Sequence, residues 1–202
     1  MSSPSLPPHS ADPKPPPPPS VPGGTPADPA HRQLSPAQDQ QLGLDAGVLV
    51  VRVVVGLIMA GHGTQKLFRW FDGGGLNSTS DFFAAEGYKA AKTMAYVAAL
   101  TETFCGLGLA IGLLTPLAAA GVLGVMINAM AITWGDGFFL PEGIEYQVVL
   151  ASGAVAVALT GPGRLAADQL LPGLRDHRFA RGVAAVALGV ISAAFVLLVL
   201  RD

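Results

Sequence analysis

The chain has 202 residues, of which 50% are hydrophobic and only 13% are charged, and its formal net charge is −2. Soluble domains carry roughly 25% charged residues, so this composition predicts a membrane protein. The near-neutral charge, without a basic block, argues against nucleic acid as a partner. The single cysteine, Cys105, excludes an intrachain disulfide.

The first 41 residues differ in character from the rest of the chain. Residues 1–41 are rich in proline and polar residues, with a run from Pro15 to Pro19 and no apolar face. This composition predicts a disordered, partly polyproline-like tail. The tail lacks the pattern of a signal peptide, so we expect the first apolar segment to stay in the membrane.

Five apolar stretches approach the ~20 residues of a spanning helix. They lie at about 44–67, 93–114, 117–134, 144–160 and 182–200, and the fourth is the shortest. Backbone groups must be satisfied inside lipid, so these stretches predict an all-α polytopic membrane bundle. We expect a four-helix core at 42–165, followed by a polar connector and a fifth C-terminal transmembrane helix at 166–202.

Two features bear on the connections and the orientation of this bundle. The first loop, 68–92, is long enough to form a lid or a short interfacial helix over one face. Lysines and arginines near the span ends divide evenly between the two sides, so the positive-inside rule gives no strong preference. The 164–181 connector contains four arginines and no lysine, which favours a cytoplasmic N-terminus.

Polar residues gather at one end of the predicted bundle. In an up-down arrangement, the end of the first span and the start of the second meet the end of the third and the start of the fourth. With 1.5 Å of rise per residue, intramembrane polar groups of these spans fall in the same half of the bilayer. The residues that we predict to form a pocket there are His62, Gln65, Lys66, Glu102, Asn128, Trp134 and Tyr146.

Glu102 and His62 are the predicted catalytic groups of this pocket. Glu102 is the stronger candidate, because an unpaired carboxylate in hydrocarbon is protonated or strongly disfavoured. Each of the two also has a structural interpretation: Glu102 as a neutral side chain bonded to a neighbouring helix, and His62 as a group exposed to interfacial water.

The other pocket candidates have structural alternatives as well. Lys66 is long enough to snorkel towards water, and Asn128 is of the type that bonds one membrane helix to another. Trp134 and Tyr146 fit an aromatic belt at the membrane interface. In the opposite half of the first span, Arg52 is interpreted as a structural anchor.

Two stretches of the sequence resemble the DoxX family. They are Arg52-Val-Val-Val-Gly56 with His62-Gly63-Thr64-Gln65-Lys66-Leu67-Phe68, and Glu102 with Gly112-Leu113-Leu114-Thr115-Pro116. The resemblance covers about residues 44–165. It implies a small bacterial inner-membrane protein with four helices, linked to thiosulfate oxidation or oxidative stress with quinone as the electron acceptor. The tail and the fifth span lie outside the family's usual pattern.

Three functions follow from the pocket and the resemblance. In a quinone-linked redox subunit, His62 and Lys66 would donate to the quinone carbonyls, Glu102 would exchange protons, and a partner redox protein or a small substrate would supply electrons. We expect no covalently bound cofactor and no metal site, because no Cys/His cluster has zinc or iron–sulfur spacing. The alternatives are a non-catalytic scaffold that docks a soluble enzyme and a small-solute transporter. The expected protein partner is a redox protein or further copies of this chain in a homo-oligomer.

Overall fold

The computed structural model describes residues 35–139, 141, 143–174 and 178–201, and this part of the chain is helical. The predicted disordered tail falls mainly on residues 1–34, outside the described residues. The helices are α1 (Pro36–Phe68), α2 (Gly75–Ala85), α3 (Ala91–Ile111), α4 (Thr115–Thr133), α5 (Glu145–Thr160) and α6 (Phe179–Val199). Short 3₁₀ turns follow at Trp134–Asp136 and Ala167–Leu170.

The prediction of an all-helical, multi-pass membrane protein is confirmed. Four segments are long and apolar enough to cross a membrane: Pro36–Phe68, Ala91–Ile111, Thr115–Asp136 and Phe179–Val199. Helix α5 has 16 residues, or about 24 Å, which is shorter than a hydrocarbon core of ~30 Å. The crossing of the bilayer by five helices therefore stays a prediction.

Helix α1 begins earlier than its hydropathy indicates. It starts at Pro36, inside the segment assigned to the tail, and runs for 33 residues. Proline is favoured at the first position of a helix, where its missing N–H is not needed, and Asp39 in the first turn suits the positive helix end. The first turns of α1 are polar, so they lengthen the helix but do not belong to its apolar span.

The helices α1 and α3 pack unusually closely, at glycines on both sides. A Cβ atom added at Gly56 would lie 2.5 Å from the carbonyl oxygen of Gly106, so the two backbones are in direct contact. Small residues at membrane helix interfaces allow this approach, because lipid gives helices no hydrophobic drive to associate. This contact brings the polar end of α1 against α3.

The order of the helices around the bundle places α1 beside α3 and α5, and α4 beside α3, α5 and α6. Helix α2 lies against α3 and α1. Helix α6 joins the bundle through a seam of buried small residues, which are Gly182, Ala185, Gly189 and Ala193. Helix α6, which corresponds to the predicted fifth transmembrane helix, is therefore an integral part of the bundle and packs against α4 and α5.

One end of the bundle, which we call the connector end, is held together by buried charged side chains. Arg52 is 1% exposed, and its guanidinium donates to the carbonyl oxygens of Pro162 and Leu165. The carboxylate of Asp168 accepts from the backbone N–H groups of Leu114 and Thr115, at 2.7 and 2.9 Å, which caps the start of α4. These bonds tie the connector after α5 to α1 and α4.

Candidate functional site

A cavity of about 800 Å³ lies between α2, α3, α4 and α6, and the last turn of α1 contributes Gln65 and Lys66 to its wall. We call the end of the bundle that holds the C-terminal end of α1 and all of α2 the lid end. Most of the wall is apolar. It includes Val97 of α3, Val125 and Ile132 of α4, and Leu188 and Val196 of α6.

The first loop forms the cover of this cavity. Helix α2 contributes Phe82 and Phe83, and the residue Tyr88 that follows it is 6% exposed. The rings of Phe83 and Tyr88 stack with centroids 4.9 Å apart, and the Tyr88 hydroxyl donates to Asn128 Oδ1 at 3.3 Å. The expected lid is thus a short helix with aromatic side chains directed at the cavity.

The environment of Tyr88 favours its neutral form. Burial of the phenol raises the pKa of Tyr88 above 10.0, the neighbouring Arg201 lowers it, and Glu86 raises it again. A phenol with a pKa above 10.0 is protonated at neutral pH, so the Tyr88 hydroxyl can donate to Asn128.

An ion pair between Lys66 and Glu102 lies in the wall of the cavity, where the last turn of α1 meets the middle of α3. The Lys66 Nζ atom is 2.6 Å from Glu102 Oε2, and Glu102 is 5% exposed. An ammonium group has three N–H donors, so Lys66 keeps donors for a ligand after it binds Glu102. The pair gives the mostly apolar cavity one charged patch in its wall.

His62 takes part in a separate hydrogen-bond chain. Its Nε2 atom is 3.0 Å from the Tyr146 hydroxyl, and its Nδ1 atom is 3.0 Å from Gln65 Oε1. The Gln65 amide nitrogen donates to the Phe71 carbonyl oxygen at 3.3 Å, so Oε1 is the group turned to the imidazole. A neutral His62 therefore carries its proton on Nδ1 and accepts from Tyr146 at Nε2.

The structure brings four of the seven predicted pocket residues together in the lining of one cavity. They are Gln65, Lys66, Glu102 and Asn128. His62 and Tyr146 lie between α1 and α5 and do not line it, because α1 has α3 on one side and α5 on the other. Trp134 does not line it either: it lies beyond α4 in a 3₁₀ turn and is 70% exposed.

Sequence reasoning missed several residues of the site. Tyr88 closes the cavity at the lid, Ser192 lines it from α6, and Arg201 binds Glu86 at 3.2 Å next to the lid. The up-down parity of the spans does place Arg201 at the lid end. The sequence holds no signal that α6 packs beside α4 with the cavity between it and α3.

Comparison with known families agrees with the motif-based resemblance. A sequence model of the family described as DoxX matches residues 47–135, which include most of α1 and all of α2, α3 and α4. The match ends before α5 and α6. No curated protein and no solved structure matches the chain significantly.

Proposed function

Because residues 47–135 belong to the DoxX family, we propose that this multi-pass membrane protein binds a quinone in the cavity beside α3 and works as a subunit or accessory of a quinone-linked redox system. The observation that carries the proposal is the form of the cavity, which is long and mostly apolar and has one charged pair in its wall. Along α4 the lining extends from Leu117 to Thr133, or about 24 Å.

The lining fits the two parts of such a molecule. The apolar walls suit an isoprenoid tail that lies parallel to the helices, and the Lys66–Glu102 pair suits a head with carbonyl oxygens. In the proposed arrangement Lys66 donates to a head-group oxygen, while Gln65 and Asn128 lie beside it in the same lining. His62 holds Gln65 in position instead of touching the ligand.

A quinone, when bound, takes up two electrons and two protons to become the quinol. We assign the supply of electrons to a partner redox protein. Glu102 is the group next to the head that would pass on the two protons in turn, and the Lys66 ammonium holds its carboxyl group in place. Phe82 and Phe83 of the lid would keep bulk water from the head.

Arg52 bears on the transporter alternative. It lies in the half of α1 opposite Lys66, and its guanidinium donates to two backbone carbonyls at the connector end. That bonding assigns Arg52 to the fold, as the sequence interpretation has it, and favours a closed binding site over a path through the bundle.

The binding of a quinone analogue to the purified protein tests the proposal. In lipid nanodiscs, a benzoquinone with a ten-carbon chain should bind wild type, and Ala98→Phe, which fills the cavity from α3, should weaken binding at least tenfold. Lys66→Met should also weaken it about tenfold, the effect of losing a charged hydrogen bond of ~1.4 kcal/mol.

Ala184→Phe is the matched control. Ala184 is exposed on α6 and does not line the cavity, so its affinity for the analogue should equal that of wild type. Wild type that does not bind the analogue, or Ala98→Phe that binds it as tightly as wild type does, would show that the cavity is not a quinone site.

A further inference from the structure

The cavity has a side opening between α3 and α6. Both helices line it, but they barely touch each other, whereas each packs firmly on α4 behind the cavity. The helices of the described chain therefore close the cavity at the back and leave a gap at the front. The gap runs along the helix axes and not across an end of the bundle.

The rim of this gap is apolar. Val97 of α3 and Leu188 of α6 line the cavity, and yet each exposes 48% of its surface. Side chains that belong both to a cavity wall and to the outer surface mark its opening. In a membrane protein an apolar rim on the side of the bundle meets acyl chains and not water.

At the lid end, bonds between α6 and the first loop bridge the gap. The Lys89 N–H donates to the Leu200 carbonyl oxygen at 2.8 Å, and Arg201 Nε donates to the Glu86 carbonyl oxygen at 2.9 Å. The Arg201 guanidinium also ion-pairs with the Glu86 carboxylate and lies 5.6 Å from the centre of the Tyr88 ring. We call these contacts the Arg201 latch.

We propose that the gap between α3 and α6 is a lateral portal through which a single-chain amphiphile enters the cavity from the bilayer. The occupant to which we commit has one isoprenoid-type tail and a head that accepts hydrogen bonds. The ~24 Å of mostly apolar lining along α4 suits such a tail, and the Lys66 ammonium in the wall suits such a head. The identity of the head as a quinone rests on the proposed function, while the portal itself does not.

The portal makes α6 part of the site, although α6 lies outside the residues matched to the DoxX family. Leu188, Ser192 and Val196 follow one another at four-residue spacing and line the cavity together. The width available to the tail is thus set by a helix that the family domain does not contain. The Arg201 latch fixes that helix at the lid.

Cys105 is a built-in reporter for this portal. It is the only cysteine of the chain and lines the cavity from α3. In nanodiscs, intact-mass spectrometry would follow its alkylation by N-dodecylmaleimide, which partitions into lipid, and by a sulfonated maleimide, which stays in water. We expect the lipid-soluble reagent to label Cys105 at least tenfold faster. Denatured protein, which both reagents should label, controls for thiol reactivity.

Two substitutions separate the portal from general lipid access. Leu188→Trp narrows the rim and should slow labelling by N-dodecylmaleimide at least tenfold, and Val97→Trp should do the same from α3. Val190→Trp is the matched control, because Val190 is 46% exposed on α6 but does not line the cavity. Its labelling rate should stay within twofold of wild type.

Equal labelling by both reagents, labelling by neither, or equal slowing by Leu188→Trp and Val190→Trp would overturn the portal. None of these results depends on quinone. A protein that is labelled from the bilayer but binds no quinone analogue keeps the portal and loses the proposed function. A protein that binds the analogue but is labelled only from water loses the portal alone.

Discussion

Glu102 lies in the bundle with 5% of its surface exposed, and the short contact with Lys66 offsets its charge. Removal of one partner of a buried pair leaves the other uncompensated, whereas its replacement by apolar groups is often neutral. We expect Lys66→Met to lower the free energy of unfolding by about 3 kcal/mol. The double variant Lys66→Met/Glu102→Leu should lie within about 1 kcal/mol of wild type.

Denaturation of the four proteins of this cycle, in a mixed detergent that allows refolding, gives the coupling energy. The Glu102→Leu single variant completes the cycle, since it leaves the Lys66 ammonium without its carboxylate. If the effects of Lys66→Met and Glu102→Leu simply add in the double variant, the two side chains do not interact in the folded protein.

Tyr88 gives a prediction about pH. Its pKa in the fold lies above 10.0, mainly through burial, so the unfolded chain loses this proton first as the pH rises. The stability linked to neutral Tyr88 is complete below pH 10.0 and is lost as the pH rises through the raised pKa. Arg201→Gln removes the cation that lowers this pKa and should raise it further.

The phenolate absorbance of Tyr88 measures this shift. Subtraction of the Tyr88→Phe titration isolates Tyr88 from the other two tyrosines of the chain. The difference curve of the Arg201→Gln protein should move to higher pH than that of wild type. A move to lower pH would mean that Arg201 does not stabilise the phenolate and that the latch does not hold Arg201 near the ring.

For single residues, the sequence predicted the depth of a side chain in the membrane better than the neighbouring helix that it contacts. The rise of the helix places His62 and Lys66 near the same end, and both do lie there. It does not say which neighbour each one meets, and Lys66 binds Glu102 on α3 whereas His62 binds Tyr146 on α5. The rotation of a helix about its axis depends on small-residue contacts with neighbours that sequence spacing does not reveal.

At the scale of helices, the glycine contact between α1 and α3 explains how the ion pair is held. Gly56→Ala would put a methyl group 2.5 Å from the Gly106 carbonyl oxygen, so the helices must separate. Overpacking of this kind costs about 1–3 kcal/mol. We expect a lower melting temperature and a weaker Lys66–Glu102 coupling energy, since both residues lie on the helices that separate.

Gly61→Ala is the control within the same helix. A Cβ atom at Gly61 meets nothing within 4 Å, so this variant should be as stable as wild type or more so, by up to ~1 kcal/mol from helix propensity. If thermal denaturation ranks Gly56→Ala and Gly61→Ala equally, the close approach of α1 and α3 does not contribute to stability.

The existence of the helices could be predicted from the sequence, but not all of their boundaries and partners. The apolar runs of α3, α4 and α6 are long enough to indicate membrane-spanning helices. The glycines of the first loop indicated that the helix α1 ends before the lid. The start of α1 at Pro36 escaped hydropathy because its first turns are polar. Hydropathy did not indicate the buried seam of α6 either. Small residues alternate there with exposed apolar ones, as they also would in a helix surrounded by lipid.

At the scale of the whole molecule, the direction of α5 decides the topology. Helix α5 begins beside His62 at the lid end and leads to Pro162, whose carbonyl binds Arg52 at the connector end. It therefore runs antiparallel to α1 in spite of its 16 residues. Helix α6 then returns to the lid end, where Arg201 binds Glu86.

This path predicts that the start of α1 and the end of α6 lie on opposite sides of the membrane, with the lid on the side of the C-terminus. The four arginines of the 164–181 connector favour a cytoplasmic connector end, so we expect the start of α1 to face the cytoplasm. In a bacterial host, alkaline phosphatase fused after the last residue should be active, and a fluorescent protein fused before the first should fluoresce. If both fusions report the cytoplasm, α5 does not cross the bilayer, and the lid and the Arg201 latch cannot both lie outside.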